Sequence, residues 1–442
     1  MTRQTTSTRN FTRRDFLKHS GAAAAAITAA PAFIPSTVLA APGKPGANER
    51  ANIGVIGTGG RVTGLSNSWG DPAQMRFVGL TDCNAAHISK FVGAVKRKFP
   101  ELETCNRYED YREMLDKEKL DGVFITTPAH GRVLPCIHAA QAGVGMYAEK
   151  PVTLTIDEGH SLIEAVNKHD VTFQAGTQAR SIAINDWVVA QLQGGKLGRV
   201  KKVEMANFNN PIDYKPLENA PAIPEGMNWD MWCNQAPLLP FDPKIITGLR
   251  GWAPYREFDG GGDMWGLTGF GTHAFDQVLW ALGRETESPV AVRVHEPGNP
   301  HCAVTLQFAD GLEIELGDKV GRGPSFGGIF LCENGKIEIN RGRFATNPTD
   351  AIGEKPELAS PHTGGATHIQ NWLDGIRTGE ATRCPVDVAH RQSVICHIVC
   401  VARDLGRDLR FDPAADRFVG DDEANRHPSV SRERRAGYEL PS

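Results

Sequence analysis

The feature that most constrains the fold is an apolar run that stops at a glycine cluster and leads into a helix-like segment. The run is Ile53, Val55 and Ile56, and the cluster is Gly57-Thr58-Gly59-Gly60. Strand, glycine turn and helix together are typical of dinucleotide-binding folds, because small residues let a diphosphate approach backbone amides. Val62 stands where the third glycine of GxGxxG would fall, so this turn alone is a weak signal.

The segment that follows supplies a second signal. Residues Met75–Asp82, with the sequence MRFVGLTD, are predicted to form a strand that ends in an acid 25 residues after Gly57. A carboxylate at about this spacing accepts hydrogen bonds from the adenosine ribose hydroxyls. Because Asp82 would repel a 2′-phosphate, the sequence favours NAD over NADP as the cofactor.

Strands and helices continue to alternate up to residue 178, which predicts an α/β fold with a doubly wound parallel sheet. Ligands bind at the carboxyl ends of such strands. Polar residues cluster at these predicted ends: Thr126, Thr127, Pro128, Glu149, Lys150 and Gln178. We therefore expect a Rossmann domain over residues 51–178 that binds NAD(P).

The second half of the chain has a different pattern. Short alternating runs follow one another from Pro289 onward, with turn residues between them. Consecutive strands of this kind predict a mostly antiparallel sheet, and hence an α+β domain for substrate binding and oligomerisation over residues 179–411. Residues 412–442 are expected to form a C-terminal tail.

The N-terminal segment FTRRDFLKHSG, residues 11–21, precedes an apolar, Ala-rich stretch. Paired arginines in this register resemble a twin-arginine signal, a pathway that exports folded proteins to the periplasm. We expect residues 1–40 to be cleaved rather than to anchor the chain stably in a membrane, and residues 41–50 to be a linker. The net charge of −4 argues against a nucleic-acid partner.

The motifs GVIGTGG, FITTPAH, AEKPVT and GTQARS occur in this order. With them the chain resembles the Gfo/Idh/MocA oxidoreductases over roughly residues 50–440. The resemblance implies that Lys150 is catalytic and that Glu149 helps to place the nicotinamide ribose. It implies a nucleotide site formed by the following residues: Gly57, Thr58, Gly59, Gly60, Arg61, Asp82, Thr127, Pro128, His130, Glu149, Lys150 and Gln178.

Members of this family often carry an Asp four residues before a His, and both residues face the substrate. Here His273 matches the His, but Gly269 stands in place of the Asp. We expect His273 to be catalytic or to bind substrate, with Asp263 as a substitute acid from the same glycine-rich loop. Asp276 would share a helix face with His273 and support it.

Aromatic residues concentrate between Trp229 and Trp265, and aromatic rings suit the C–H faces of sugars. Trp229 and Trp232 are therefore candidate substrate contacts. Arg180 is a further candidate, because its guanidinium group could bind substrate hydroxyls or carboxylates. We expect a small carbohydrate substrate and a homo-oligomer, the latter through the open face of the second sheet. No metal site is expected, since Cys396 and Cys400 are interpreted as buried structural residues.

Three functions remain open. The first is an exported NAD(P)-dependent oxidoreductase that acts on CH–OH groups of a sugar, polyol or sugar derivative and recycles a tightly bound cofactor. The second is a redox glycosidase of the same fold, which oxidises a sugar transiently and consumes no cofactor. The third is a sugar-binding relative without activity, which the missing Asp and the missing third glycine would fit.

Overall fold

A computed structural model describes residues 50–259, 265–358 and 364–441. The expected signal peptide and Asp263 lie outside these ranges, as does all but the last residue of the expected linker. The first sheet is parallel, with strand order β3-β2-β1-β4-β5-β6. Its strands are β1 Ala51–Ile56, β2 Met75–Thr81, β3 Asn106–Tyr108, β4 Gly122–Ile125, β5 Gly145–Ala148 and β6 Phe173–Ala175.

Helices connect these strands and pack on both faces of the sheet. They span Gly60–Leu65, Ala85–Val95, Tyr111–Lys117, Val133–Gln141 and Ile156–His169. The last of these begins where the Thr155 side chain accepts from the Glu158 amide, and it ends at Asp170, whose φ of 49° is left-handed. A capping hydroxyl and a left-handed end residue are the usual limits of a helix, which explains its sharp bounds.

The register of the first sheet fixes the position of the site. Ile56 of β1 pairs with Ile125 of β4, and Ile125 pairs with Ala148 of β5. These three residues end their strands side by side. The residues that follow them, including Gly57 and Glu149, therefore come together at one edge of the sheet.

The second sheet has nine strands, in the order β13-β12-β11-β7-β10-β9-β8-β14-β15. Among the described strands of this sheet, only β7 and β10 pair in parallel, so the sheet is mostly antiparallel as expected. The strands are β7 Val200–Asn207, β8 Ala291–Val294, β9 Val304–Gln307, β10 Glu313–Val320, β11 Gly327–Cys332, β12 Gly335–Asn340, β13 Phe344–Asn347, β14 Leu409–Asp412 and β15 Arg417–Phe418.

Further helices join and cover the two sheets. They span Ala183–Gln193, Trp229–Cys233, Leu249–Trp252, Thr272–Leu282, Gly365–Thr378, Val386–Leu405 and Asp422–Asn425. Helix Gly365–Thr378 packs Trp372 against Phe124 of the first sheet, with ring centroids 4.8 Å apart. Helix Val386–Leu405 is buried along most of its length and contacts both Ile156–His169 and Thr272–Leu282. Its first turn packs in an apolar cluster of the first sheet, and its later turns pack in a cluster of the second sheet. Among the described helices, none is both long and apolar enough to cross a membrane.

The C-terminal segment is ordered against the rest of the chain. Arg434 forms an ion pair with Glu158 at 2.6 Å, and both side chains are almost fully buried. The Tyr438 hydroxyl donates to the Asp230 carboxylate at 2.6 Å. Residues 412–441 therefore pack on both the first-sheet helices and the segment around Asp230, in addition to supplying β15.

Candidate active site

A cavity with a volume of about 840 Å³ lies at the carboxyl-end edge of the first sheet. Residues from the first sheet line one side, and residues from the second half of the chain line the other. The cavity brings together most of the site residues expected from the sequence: Gly57, Thr58, Gly59, Gly60, Arg61, Asp82, Thr127, Pro128, His130, Glu149, Lys150, Gln178, Trp232 and His273.

The glycine turn leaves open space where a diphosphate would lie. Gly57 has a φ of 87°, and a Cβ there would lie 3.0 Å from the Thr127 amide nitrogen. A larger residue at this position would therefore be strained as well as crowded. At Gly59 and Gly60, by contrast, a Cβ would have nothing within 4 Å in the part of the chain that the structure describes. These two glycines border empty cavity space.

Asp82 is held firmly at one end of the cavity. Its Oδ2 accepts from the Thr58 amide at 2.7 Å, and its Oδ1 accepts from the Asn84 amide at 2.9 Å. His87 and Lys90 line the same end. The strand-end acid is thus fixed beside the glycine turn, which is the relationship that ribose binding requires.

Four buried polar atoms in the cavity wall have no hydrogen-bond partner among the described residues, and two of the four are oxygens. These oxygens are Thr127 Oγ1 and Gln178 Oε1. A buried polar atom without a partner is costly unless a ligand or water satisfies it. Together with the open space at Gly59 and Gly60, these atoms fit a bound dinucleotide.

Glu149 is a buried carboxylate that is compensated by cations. Its Oε1 lies 2.5 Å from Arg61 Nη2, and its Oε2 accepts from the Lys150 amide at 3.3 Å. Burial opposes ionisation of Glu149, but the charges of Arg61 and Lys150 outweigh it and hold the pKa of Glu149 below its ordinary value. Glu149 therefore remains a hydrogen-bond acceptor in the cavity.

Lys150 follows Glu149 and extends toward the second half of the chain. Its Nζ donates to the Gly269 carbonyl oxygen at 3.2 Å. Burial lowers the pKa of the Lys150 amine, although the charges of Glu149 and Asp259 act in the opposite direction. A lysine amine with a lowered pKa can exchange a proton with a substrate hydroxyl.

Asp259 is an acid near Lys150 that the sequence did not single out. It is only 2% exposed, and its Oδ2 accepts from Thr268 Oγ1 at 3.2 Å. Burial raises the pKa of Asp259 to about 7, against the opposing charges of Lys150 and Arg132. Asp259 precedes the glycine-rich stretch by one residue, and that adjacency was the only signal in the sequence that could have identified it.

His273 lies in the cavity wall at the start of helix Thr272–Leu282. Its ring packs edge-on against Phe326, with centroids 5.5 Å apart. Burial lowers the pKa of His273 well below its ordinary value, and the charges of Lys150 and Arg341 act in the same direction. His273 is therefore neutral, and its Nδ1 has no hydrogen-bond partner among the described residues.

A segment from the second half of the chain, residues 228–252, covers the cavity and is called the covering segment below. His130 Nε2 lies 2.7 Å from the Trp232 carbonyl oxygen, and burial lowers the pKa of His130 to about 4. The other ring nitrogen, Nδ1, lies 3.2 Å from the Phe258 carbonyl oxygen. A neutral ring can donate only one hydrogen bond, and the shorter contact, to Trp232, assigns the proton to Nε2. The Asn228 amide also donates to the Cys83 carbonyl at 2.8 Å. The segment is thus attached to the loops of the first sheet, and its cavity-lining residues are Met231, Trp232, Asn234, Ile246, Thr247, Gly248, Leu249 and Trp252.

Two expected substrate contacts lie outside the cavity lining. Arg180 is 2% exposed and donates to Asp276 at 2.6 Å, and it also pairs with Glu285. Trp229 stacks on Trp232 with ring centroids 4.7 Å apart and donates to the Leu239 carbonyl. Arg180 therefore joins buried parts of the fold, and Trp229 supports the cavity-lining Trp232 from behind.

One group of possible metal ligands lies away from the cavity lining. His160, His390 and Asp416 have donor atoms within 4.8 Å of one another. Arg391 forms an ion pair with the same Asp416 carboxylate at 2.5 Å. A cation of the protein therefore already pairs with the only carboxylate in the group.

Comparison with protein families gives three matches. The NAD-binding Rossmann-fold model of the GFO_IDH_MocA oxidoreductases matches residues 51–177, and their C-terminal alpha/beta domain model matches residues 193–440. A twin-arginine translocation signal model matches residues 10–30. The chain therefore carries an export signal of the twin-arginine pathway.

Two curated relatives illustrate the sequence similarity. The chain is 37% identical over 144 residues to the uncharacterized oxidoreductase YrbE of Bacillus subtilis strain 168, covering 32% of this chain and 40% of that protein. It is 25% identical over 173 residues to an alpha-N-acetylgalactosaminidase of Shewanella oneidensis, covering 36% and 38%. The chain thus matches less than half of the length of these relatives.

Solved structures share the fold at low identity. The WlbA dehydrogenase of Bordetella pertussis, solved with NADH and UDP-GlcNAcA, has a TM-score of 0.58 at 15% identity and covers 83% of this chain and 99% of its own. The aldose-aldose oxidoreductase of Caulobacter crescentus, complexed with glycerol, has a TM-score of 0.55 at 17% identity and covers 82% and 100%. With the two family models spanning both sheets and the cavity between them, the chain belongs to the Gfo/Idh/MocA family of NAD-binding oxidoreductases.

Proposed function

We propose that this protein is an exported oxidoreductase that acts on CH–OH groups of a sugar, polyol or sugar derivative. In this proposal NAD is held tightly and recycled within each turnover, so that a second, carbonyl-bearing substrate takes back the hydride that the first alcohol gives to NAD. The expected site residues that line the cavity would form the nucleotide site and the reacting centre. When bound, NAD supplies the hydride acceptor and donor, and the residues of the chain manage the proton.

The observation that carries the proposal is the approach of Lys150 to the helical turn Leu267–Gly271, which precedes His273. Lys150 comes from the end of β5 in the first sheet, whereas Gly269 and His273 come from the second half of the chain. The 3.2 Å contact between Lys150 Nζ and the Gly269 carbonyl brings the two halves together at one end of the cavity. Glu149 pairs with Arg61, which follows the glycine turn, and in this proposal it would contact the nicotinamide ribose.

The proton chemistry follows from the environment of Lys150. Oxidation of an alcohol requires loss of the hydroxyl proton, and an amine whose pKa is lowered by burial can accept it. Neutral His273 is a second acceptor or donor at the same end. The role proposed for Lys150 is to take that proton, and the role proposed for His273 is to orient the hydroxyl.

Export supports a retained cofactor. A twin-arginine signal marks proteins that cross the membrane folded, so the nucleotide can be loaded before export. The covering segment, which is attached through His130 and Asn228, would slow release of the nucleotide. Asp82 at the adenosine end favours NAD, since a 2′-phosphate beside a carboxylate is repelled.

A redox glycosidase is the second candidate. It is supported by the similarity to an alpha-N-acetylgalactosaminidase and by Gly269 in place of the Asp of the family pattern. Such an enzyme would oxidise the sugar, eliminate the aglycone, add water and reduce the product again. A sugar-binding relative without activity is the remaining alternative.

Turnover assays separate these functions. The mature holoprotein is incubated with chromogenic glycosides and, separately, with free sugars and added NAD. Aglycone release without net NADH supports the glycosidase. Oxidation of one free sugar coupled to reduction of a second, without net NADH, supports the recycling oxidoreductase, whereas growth of NADH absorbance that requires added NAD would show a dehydrogenase that releases its cofactor. Lys150→Ala should abolish either activity while the nucleotide stays bound. Full activity in that variant would refute the role proposed for Lys150.

A further inference from the structure

We propose that the substrate end of the cavity binds a carboxylate through Arg341, so that the substrates are acidic sugars such as uronates. This inference rests on the proposed function, because it names the substrate class of the same site. Arg341 lies in the turn between β12 and β13, in the second sheet, and it lines the cavity. The motifs of the sequence gave no reason to select it.

The backbone places Arg341 in an unusual conformation. Its φ is 41°, in the left-handed region that few residues other than glycine adopt. The turn is fixed on both sides, since the Asn340 amide donates to the Arg343 carbonyl at 2.9 Å and the Gly342 amide donates to Asn185 Oδ1 at 2.9 Å. Non-glycine residues held in this conformation concentrate at functional sites, and here the result is a side chain directed at the cavity.

The guanidinium group lies close to the proposed reacting centre. Its central carbon is 4.9 Å from the centroid of the Phe326 ring, and that ring packs against His273 at 5.5 Å. Phe270 also packs against Phe326, at 4.5 Å. The Phe326 ring thus contacts the Arg341 guanidinium at the His273 end, and no described residue accepts a hydrogen bond from that guanidinium.

Arg341 forms no ion pair with an acid among the described residues, whereas the neighbouring Arg61 pairs with Glu149 at 2.5 Å. In the part of the chain that the structure describes, Asp259 is the other acid whose charge acts on Lys150. Burial raises the pKa of Asp259 to about 7, so this carboxyl is only partly ionised at neutral pH. Over residues 50–259, 265–358 and 364–441, the reacting end of the cavity therefore carries more cations than ionised acids.

This combination suits a planar anion. A guanidinium group pairs with a carboxylate through two parallel hydrogen bonds, and the pair is strongest where water is excluded. A sugar carboxylate bound there would hold the sugar in the cavity that Lys150 and His273 also line. The diphosphate of the cofactor is the other source of anionic oxygens near this site, and the experiment must distinguish the two.

The test uses the mature holoprotein with its bound nucleotide and two matched pairs of probes. Glucuronate is compared with glucose, and galacturonate with galactose, by isothermal titration calorimetry. We expect at least one uronate to bind about 10- to 100-fold more tightly than its neutral partner. Arg341→Gln should remove that preference and leave neutral-sugar binding unchanged, and Arg341→Lys should lose part of it.

Arg343→Gln is the matched control, because Arg343 is an exposed arginine of the same turn that does not line the cavity. It should leave both the preference and the nucleotide content unchanged. Nucleotide released per chain is measured for every variant, and a thermal melt checks folding. Equal binding of uronates and neutral sugars would overturn the inference, and so would loss of nucleotide in Arg341→Gln with the preference retained. Wild-type protein that prefers uronates but holds no nucleotide would refute the proposed function alone.

Discussion

The amine of Lys150 donates to the backbone carbonyl of Gly269 at 3.2 Å, at the position where the family pattern places an aspartate. A carbonyl is a neutral acceptor and stabilises the ammonium form less than a carboxylate would. Burial therefore lowers the pKa of Lys150 without an acid at that position to reverse it. The departure from the family pattern favours a lysine that readily loses and regains its proton.

Restoring the family acid should reverse this effect. Gly269→Asp would place a carboxylate beside Lys150 and raise the pKa of its amine, by about 1 to 2 units for an opposite charge at close range. Reductive methylation with ¹³C-labelled formaldehyde allows the amine to be titrated by NMR. Gly269→Ala controls for the added volume and should leave the pKa close to its wild-type value. An unchanged pKa in Gly269→Asp would show that an acid at this position does not control the protonation of Lys150.

Asp259 should make stability depend on pH. Its folded-state pKa of about 7 lies above the ordinary value of 3.8. The folded state therefore binds the proton more tightly than the unfolded state, and the contribution of Asp259 to stability is lost as pH rises through about 7. Urea denaturation is measured at about pH 5 and about pH 8 for the wild type and Asp259→Asn. The wild type should lose stability relative to the variant between these values, and a constant difference would contradict the assignment.

The Arg61–Glu149 pair should be strongly coupled. Glu149 is buried, whereas the Arg61 side chain is 46% exposed. Arg61→Ala would leave a buried carboxylate without its closest cation and should destabilise the fold by about 1–3 kcal/mol, since breaking a buried pair costs more than replacing it. The double variant Arg61→Ala/Glu149→Gln should recover part of that loss in chemical denaturation. If the two substitutions are additive, the pair does not stabilise the site.

The covering segment should control how long the nucleotide stays bound. His130→Ala removes the 2.7 Å contact with the Trp232 carbonyl and leaves that carbonyl without its donor. We expect nucleotide dissociation to become about 10-fold faster, as measured by exchange against labelled NAD. His295→Ala is the matched control, since His295 is exposed and does not line the cavity. Equal exchange rates in the two variants would show that the His130 contact does not retain the nucleotide.

Five of the six strands of the parallel sheet were predictable because they carry a local apolar pattern. The sequence also predicts helices over residues 156–169 and 386–405, and the observed helices Ile156–His169 and Val386–Leu405 have the same bounds. The strand Asn106–Tyr108 was missed, since its residues are mostly exposed and show no alternation. A helix predicted over residues 108–117 is observed over Tyr111–Lys117, after the capping residue Asp110.

The cavity was only half predictable, for a physical reason. Residues at the ends of consecutive parallel strands must meet, so Gly57, Glu149 and Lys150 could be placed together from the sequence. Arg341 reaches the cavity, and Asp259 comes close to Lys150, through loops and turns of the second half of the chain. No periodicity relates those loops to the first sheet, and therefore only the three-dimensional structure brings these residues to the site.

The most direct test of the account is the nucleotide content of the exported protein. Mature protein is purified from the periplasm of a host with a working twin-arginine pathway and denatured, and the released NAD and NADH are quantified by absorbance and mass spectrometry. We predict about one nicotinamide nucleotide per chain, as a single dinucleotide site requires. Protein that releases no nucleotide and binds none on titration would contradict both the retained cofactor and the redox function.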